Sequence, residues 1–190
     1  MSFYRQQTLK TVKALLEGCG KISTMLDFGA GDGWYSYQLK QVNIATKMIA
    51  LDTVKRKQSF LETTLYDGEK LPFPDRSMDL ILSIDAIHHT PYPIKIIYEL
   101  LRCTGKYLLI KDRVYWTGLG KASLSLLDEI GNRRFGIPST YRYQHAWEWF
   151  PAIAQAGFQL SEFIYPLKCN RSLLGWWSNR FQWAALWKRI

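Results

Sequence analysis

The sequence predicts an α/β fold, a three-layer sandwich in which a mostly parallel sheet carries helices on both faces. Two observations predict it. Short apolar, β-rich runs alternate with stretches of helical spacing from Thr8 to Ile110, the pattern of strands joined by crossover helices. Near the end, Phe158–Pro166 and Phe181–Lys188 read as two strands joined by Leu167–Arg180, an antiparallel hairpin that would close the sheet.

In chain order, Thr8–Leu16 has helical spacing and Ile22–Phe28 (ISTMLDF) reads as the first strand. Trp34–Gln41 is a helix, Lys47–Leu51 a strand, and Met78–Ile84 (MDLILSI) and Gly105–Ile110 (GKYLLI) further strands. Each strand is a continuous apolar run bounded by Gly, Pro or charge, as expected when both faces are covered. Pro93–Arg102 is a helix whose Pro91 and Pro93 suit its opening, where a missing N–H costs little. Between Asp52 and Asp67, fifteen positions apart, a strand such as Leu61–Tyr66 must fit. That leaves Thr53–Ser59 too short for the usual crossover helix, so a loop or single turn is expected. Farther on, Lys121–Ile130 and Gln144–Gln155 have helical spacing, the latter stopped by Gly157. Along Phe181–Lys188, Phe181, Trp183, Ala185 and Trp187 share one face and Gln182, Ala184, Leu186 and Lys188 the other.

Composition narrows the class. At 190 residues, 47% hydrophobic and 22% charged, the chain reads as one globular domain over residues 1–190. No run approaches the roughly 18 apolar residues of a membrane span. The first thirty residues hold no apolar signal core, and the cytoplasm is the expected compartment. Cys19, Cys103 and Cys169 are odd in number and lack metal-ligand spacing, which argues against a disulfide framework, a zinc module or a metal site. The formal charge of +9 is uneven: residues 102–190 carry 13 Lys/Arg against 5 Asp/Glu. Such asymmetry suits an anionic partner or a solvated basic face equally well.

The chemistry-bearing motif is Asp27-Phe-Gly-Ala-Gly-Asp-Gly33, where the first strand hands over to a helix. Gly29, Gly31 and Gly33, with Ala30 among them, let the main chain turn sharply and approach a ligand. The helix from Trp34 would offer unpaired N–H groups. Asp52 ends the next strand nineteen residues after Gly33, where nucleotide-binding α/β folds accept hydrogen bonds from ribose hydroxyls. A nicotinamide dehydrogenase would want its third Gly where Trp34 stands.

With these pieces the chain resembles the class I S-adenosylmethionine-dependent methyltransferases, in their quinone and small-molecule branch. The matching segments are DFGAGDGW (Asp27–Trp34), ALD (Ala50–Asp52), YDGEKLPFPDRSMDLILSIDAIHH (Tyr66–His89) and GKYLLIKD (Gly105–Asp112). The resemblance implies a Rossmann-like, seven-stranded sheet whose last strand runs antiparallel, and S-adenosyl-L-methionine as cofactor. It implies that Asp27, Gly29, Ala30, Gly31 and Gly33 lie beneath the amino-acid part of that cofactor. Asp52 would hold both ribose hydroxyls with Thr53 beside it. Asp67 would accept the adenine amine next to the Gly68 backbone, and Asp85 would lie near the methionine end. Turn chemistry for Asp67 and helix capping for Asp85 are the alternatives.

Methyl transfer from a sulfonium needs a base only where the acceptor must lose a proton. His88 and His89 are the candidates, since an unperturbed imidazole titrates near about 6.5; loop capping is the other reading, and Asp112 and His145 are further candidates. The acceptor is expected to be small or lipid-like. Tyr115, Trp116, Phe135, Tyr141 and Tyr143 with Arg113, Arg133, Arg134 and Arg142 suit a flat or apolar acceptor bearing an anionic group, unless they are core. The tail Lys168–Ile190 combines Trp176, Trp177, Trp183 and Trp187 with five cations and no carboxylate. It reads either as a peripheral membrane contact or as a buried hairpin. Nucleic acid is disfavoured, because the relatives that methylate base amines show Asn/Asp-Pro-Pro-aromatic where this chain has Asp85-Ala-Ile-His88. The rival from another class is a non-catalytic binding module acting through the basic, Trp-rich half.

Overall fold

The structure is a computed structural model that describes residues 2–132, 140–171 and 173–190. Its elements in order are α1 (Phe3–Leu16), β1 (Thr24–Phe28), α2 (Trp34–Lys40), β2 (Lys47–Asp52), β3 (Thr63–Leu65), β4 (Met78–Ile84), α3 (Pro93–Cys103), β5 (Thr104–Tyr115), α4 (Gly118–Asn132), β6 (Gln144–His145), α5 (Trp149–Gln155), β7 (Phe158–Ile164), α6 (Leu173–Ser178) and β8 (Gln182–Arg189). The strands lie in the order β3-β2-β1-β4-β5-β8-β7, with the two-residue β6 beside β5. Among the described residues only β8 runs against its neighbours: it pairs antiparallel with both β5 and β7.

β1 is the pivot. It pairs in parallel with β2 on one side and β4 on the other, Asp27 standing opposite both Ala50 and Leu82. Strand order runs away from it in both directions, which opens a crevice outside the carboxyl ends of the strands. The glycine-rich turn is the lip of that crevice.

Alternate residues feed two cores. Leu26, Phe28, Ile81, Leu108 and Ile110 join Ile97 and Leu100 of α3 and Trp149 of α5. Met25, Leu80, Leu82 and Leu109 join Val12 and Leu15 of α1 and Leu39 of α2 on the other face. The two-faced reading of the last strand holds: Trp183, Ala185 and Trp187 enter the first core and Ala184 and Leu186 the second.

Several expected boundaries move. Ser2 caps α1 by accepting the Arg5 N–H at 3.3 Å, so the helix starts five residues before Thr8. The expected strand Leu61–Tyr66 is only Thr63–Leu65, and residues 53–62 cross to it without a helix. The strand expected to stop at Ile110 continues to Tyr115. Its charged residues Lys111 and Asp112 are buried, paired by partners distant in sequence. The helix expected from Gln144 starts at Trp149 instead. Pro151 is tolerated only in a first turn, so Gln144 and His145 pair with β5 as β6. Phe181 ends a 3-10 turn before β8 rather than starting the strand. Among the described residues, no helix is long and apolar enough to cross a membrane.

Candidate cofactor and acceptor site

The lip is built by loops that fit into one another. Gly29 has φ +67°, and a Cβ there would stand 2.3 Å from the Ala86 Cβ; the turns after β1 and β4 touch at that point. Gly31 has φ +60° with open space where its Cβ would be. Its N–H donates to Asp52 Oδ2 at 2.8 Å, while Asp52 Oδ1 accepts the Thr53 and Val54 N–H groups at 2.7 and 3.2 Å. The carboxylate at the end of β2 therefore sits against the glycine turn. Phe60 N–H reaches Asp32 O at 2.8 Å, so the helix-free crossover lies over the same turn.

Asp27 is buried, and Ser36 Oγ donates to it at 2.5 Å. Burial, outweighing the Ser36 hydrogen bond, pushes its carboxyl up to about 7. Asp67 follows β3; the Glu69 and Lys70 N–H groups hold its carboxylate at 2.8 and 3.2 Å and lower its pKa. A Cβ on Gly68 would lie 3.4 Å from Thr53 Cγ2, which places the Asp67 turn beside the Asp52 end of β2.

The block Glu69–Phe73 owes its place to Arg102 of α3. That guanidinium donates to Leu71 O (3.1 Å), Phe73 O (2.8 Å), Glu99 and Asp75, while Glu99 accepts the Leu71 N–H at 3.0 Å. The Asp67 turn is thus anchored to the helix layer.

Past β4 the site holds charges the sequence reading did not pair. Asp85 lies just beyond its strand at φ +50° and does not cap a helix. Lys111 Nζ donates to both its oxygens, at 2.7 and 2.8 Å, and to Gln182 Oε1 at 2.6 Å. The Tyr4 hydroxyl of α1 also donates to Asp85 and in turn accepts from Lys111. Burial opposes the Asp85 charge, but the Lys111 and Arg113 cations and His88 outweigh it and hold the carboxyl well below the usual range. Asp85 therefore stands as a carboxylate with the Lys111 cation beside it. Arg5, one residue on, donates to Asp32 Oδ2 at 2.8 Å and lies over the Trp34 ring. The first turn of α1 therefore touches both the glycine turn and the turn after β4.

His88 and His89 form a 3-10 turn after Asp85. His88 is buried, its Nδ1 hydrogen-bonded to Asp112 and its Nε2 3.5 Å from Asp128 Oδ2. Tyr143 donates to that same oxygen at 2.6 Å, and Arg113 pairs with the other. His89 is half-buried beside it; burial, then the neighbouring His88, lowers its pKa to about 3, so it is neutral near pH 7. The two imidazole rings lie 4.1 Å apart between centroids. His88, His89 and Asp128 bring donor atoms within 4.8 Å of one another, yet Arg113 supplies Asp128 with a cation from the protein itself.

The expected aromatic wall is dispersed. Tyr143 is core, Arg113 belongs to the buried ion network, and His145 is exposed. Tyr141 and Arg142 line a groove of about 490 Å³ with Gly118, Lys121, Ser125 and Thr140. Thr140 Oγ1 donates to His88 O at 2.5 Å, so the groove abuts the histidine turn. Phe135, Arg133 and Arg134 lie outside the described residues. Tyr4, Lys111, Asp128 and Gln182 were missed because their partners stand 15 to 107 positions away, with no local pattern to mark them.

A glycine turn locked to a strand-end carboxylate, at the point where strand order reverses, defines a nucleotide-binding α/β domain. Open space over Gly31 and a carboxylate at each of β2 and the β3 turn fit a cofactor with ribose and adenine. Comparison with known proteins specifies the class. Residues 26–107 match the family model described as a methyltransferase domain. The chain is 27% identical over 112 residues to the ubiquinone/menaquinone biosynthesis C-methyltransferase UbiE of Cupriavidus taiwanensis, covering 55% of this chain and 46% of that one. It is 29% identical over 109 residues to ajmaline N-methyltransferase of Rauvolfia serpentina, covering 50% and 38%. The S-adenosylmethionine-dependent methyltransferase of Mesorhizobium loti shares the fold with a TM-score of 0.70 at 13% identity, covering 99% of this chain and all of that one. The chain is thus similar to the class I S-adenosylmethionine-dependent methyltransferases, and that similarity indicates S-adenosyl-L-methionine as the cofactor. It spans less than half the length of the two curated relatives named here.

Proposed function

We propose that this domain transfers a methyl group from S-adenosylmethionine to a small, apolar or aromatic acceptor bearing an anionic group. The observation that carries the reading is the Gly31–Asp52 hydrogen bond at the switch point of the sheet. In it, Asp52 exchanges the Gly31 N–H for the ribose hydroxyls, with Thr53 alongside, and Asp67 and the Gly68 backbone take the adenine edge. Gly29, Ala30, Gly31 and Gly33 pass under the amino-acid end, with Asp27 at the root of the turn. Asp85, with Lys111 and Tyr4, forms the wall facing that end. When bound, the cofactor supplies an electrophilic methyl on a leaving group that is already activated.

The chain's own task is then alignment, which can supply roughly 7–11 kcal/mol, and removal of a proton where the acceptor carries one. His88, oriented through Nδ1 by Asp112, and the neutral imidazole of His89 beside it are the groups that take that proton. The groove with Lys121, Arg142 and Tyr141 supports an acceptor combining a flat body and an anion. The two relatives are a C-methyltransferase and an N-methyltransferase, so the acceptor atom does not follow from them.

Calorimetry with S-adenosylmethionine and its demethylated product, followed by labelled-methyl transfer to a panel of phenolic acids and hydroquinones, tests the proposal. Micromolar cofactor binding with label in an acid-bearing acceptor supports it. Absence of cofactor binding at high micromolar concentration would leave the non-catalytic binding module as the better account.

A further inference from the structure

The aromatic residues of the second half divide into two groups. Trp149, Trp183 and Trp187 are core. A second group reaches the surface where β5 and β7 end: Trp116, Trp147, Phe163 and Tyr165. Their ring centroids lie 5.5 Å apart for Trp116–Trp147, 5.4 Å for Trp116–Tyr165 and 5.1 Å for Trp147 with both Phe163 and Tyr165. Trp116, Phe163 and Tyr165 are 40%, 41% and 38% exposed. Ala146 and Trp147 both hold left-handed backbone, φ +44° and +65°, an arrangement that costs non-glycine residues free energy and persists only where surroundings enforce it.

The patch runs on into cationic surface. The Tyr165 hydroxyl donates to Arg180 O at 2.9 Å, and the Arg180 guanidinium stands over Trp176, which is 67% exposed. Lys168, Arg171 and Arg180 are exposed, and Glu148 and Glu162 are the exposed carboxylates on the adjoining elements.

We propose that this rim is a docking surface for an anionic phospholipid membrane. A contiguous exposed aromatic patch on a folded domain marks an interaction site. Trp and Tyr, amphipathic and bulky, are the side chains that settle at the headgroup level, and Lys/Arg beside them add attraction to anionic lipid. The exposed Lys168, Arg171 and Arg180 supply that charge complementarity. β5 and β7 point the same way as β1 and β2, so the surface shares a rim with the cofactor crevice, and an acceptor dissolved in lipid would reach the site without crossing water. Of the tail residues expected at a membrane, Trp183 and Trp187 are core while Trp176 is exposed, and Trp116 and Tyr165 join it from outside the tail. The surface stands independently of which acceptor is methylated.

Sedimentation of the full chain with vesicles of phosphatidylcholine alone, and of phosphatidylcholine with phosphatidylglycerol, tests this. Cosedimentation with the anionic vesicles is expected at low ionic strength, falling at about 1 M salt, where the screening length is about 3 Å. Trp116→Ser combined with Trp176→Ser is expected to weaken it about tenfold. Leu65→Ser, an exposed apolar site on β3 at the other sheet edge, is expected to change nothing. Circular dichroism and product calorimetry on the same variants report the fold and the cofactor site. Normal calorimetry without vesicle binding overturns this inference alone. So do equal sedimentation of wild type and the double variant, and a dimer in sedimentation velocity that the double variant abolishes, which would make the patch a self-association face.

Discussion

Asp52 accepts the Gly31 N–H at 2.8 Å across 21 positions of chain, so the end of β2 and the glycine turn hold each other in place. A carboxylate with about four acceptor positions keeps capacity after taking the Gly31, Thr53 and Val54 N–H groups. Asp52→Asn conserves shape and removes charge, and it is expected to weaken binding of the demethylated cofactor about ten- to a hundredfold by calorimetry. An unchanged dissociation constant would take Asp52 out of the site.

Gly29 and Gly31 share a left-handed backbone but not a neighbourhood. Gly29→Ala drives a Cβ to 2.3 Å from Ala86 and is expected to cost about 2–4 kcal/mol of stability, the sum of overpacking and backbone strain. Gly31→Ala meets nothing, so only the backbone cost of about 1–2 kcal/mol applies, and its larger effect should fall on cofactor affinity. Urea unfolding paired with calorimetry separates them; equal stability losses would contradict the packing difference.

The histidine turn can be tested one residue at a time. His88→Gln is expected to lower kcat about a hundred- to ten-thousandfold, the usual worth of a general base, with cofactor binding intact. Asp112→Asn should lower it less and alter the pH–rate profile, since its part is to orient the ring. His89→Gln should mainly raise KM. If kcat survives in His88→Gln, the proton is taken elsewhere or the acceptor has none to lose.

What could be read from the chain is what depends on neighbours in sequence. The Asp27–Gly33 turn, the Asp52 strand end and the Asp67-Gly68 turn are local patterns, and each lies where its spacing indicated. The alternation Trp183–Ala185–Trp187 against Ala184–Leu186 was legible because period two is a local property. Lys111 and Asp112 looked like the end of a strand because charge normally marks one. They lie inside β5 because Asp85, Gln182 and His88 arrive from elsewhere to pair them. Tyr4 and Arg5 are unremarkable in a polar first turn, and only folding brings them to Asp85 and Asp32.

Arg102 explains why the Glu69–Phe73 block accompanies the site. Arg102→Ala is expected to destabilise the fold by about 2–3 kcal/mol, because it frees two backbone carbonyls and Glu99 together. Arg102→Lys should recover little, since one ammonium cannot reproduce the guanidinium fork. Hydrogen exchange should show the Asp67 turn losing protection in both variants. Protection equal to wild type would mean the turn is held by other contacts.

Asp27 gives the fold a pH signature of definite sign. Its carboxyl rises from an ordinary value of 3.8 to about 7 on folding, chiefly by burial, so between those values the folded state holds a proton that the unfolded chain has released. Stability contributed there is complete below pH ~4, declines as pH rises toward 7, and is flat beyond. His89 acts oppositely: depressed from 6.5 to about 3, it loses stability as pH falls through that range. The difference between wild type and Asp27→Asn isolates the first effect, because His89 is common to both. The variant's stability relative to wild type is expected to increase from pH 4 to 7 and then level off in urea titrations. A difference independent of pH would mean that Asp27 is ionised in the folded protein throughout, with the Ser36 hydroxyl enough to hold its charge.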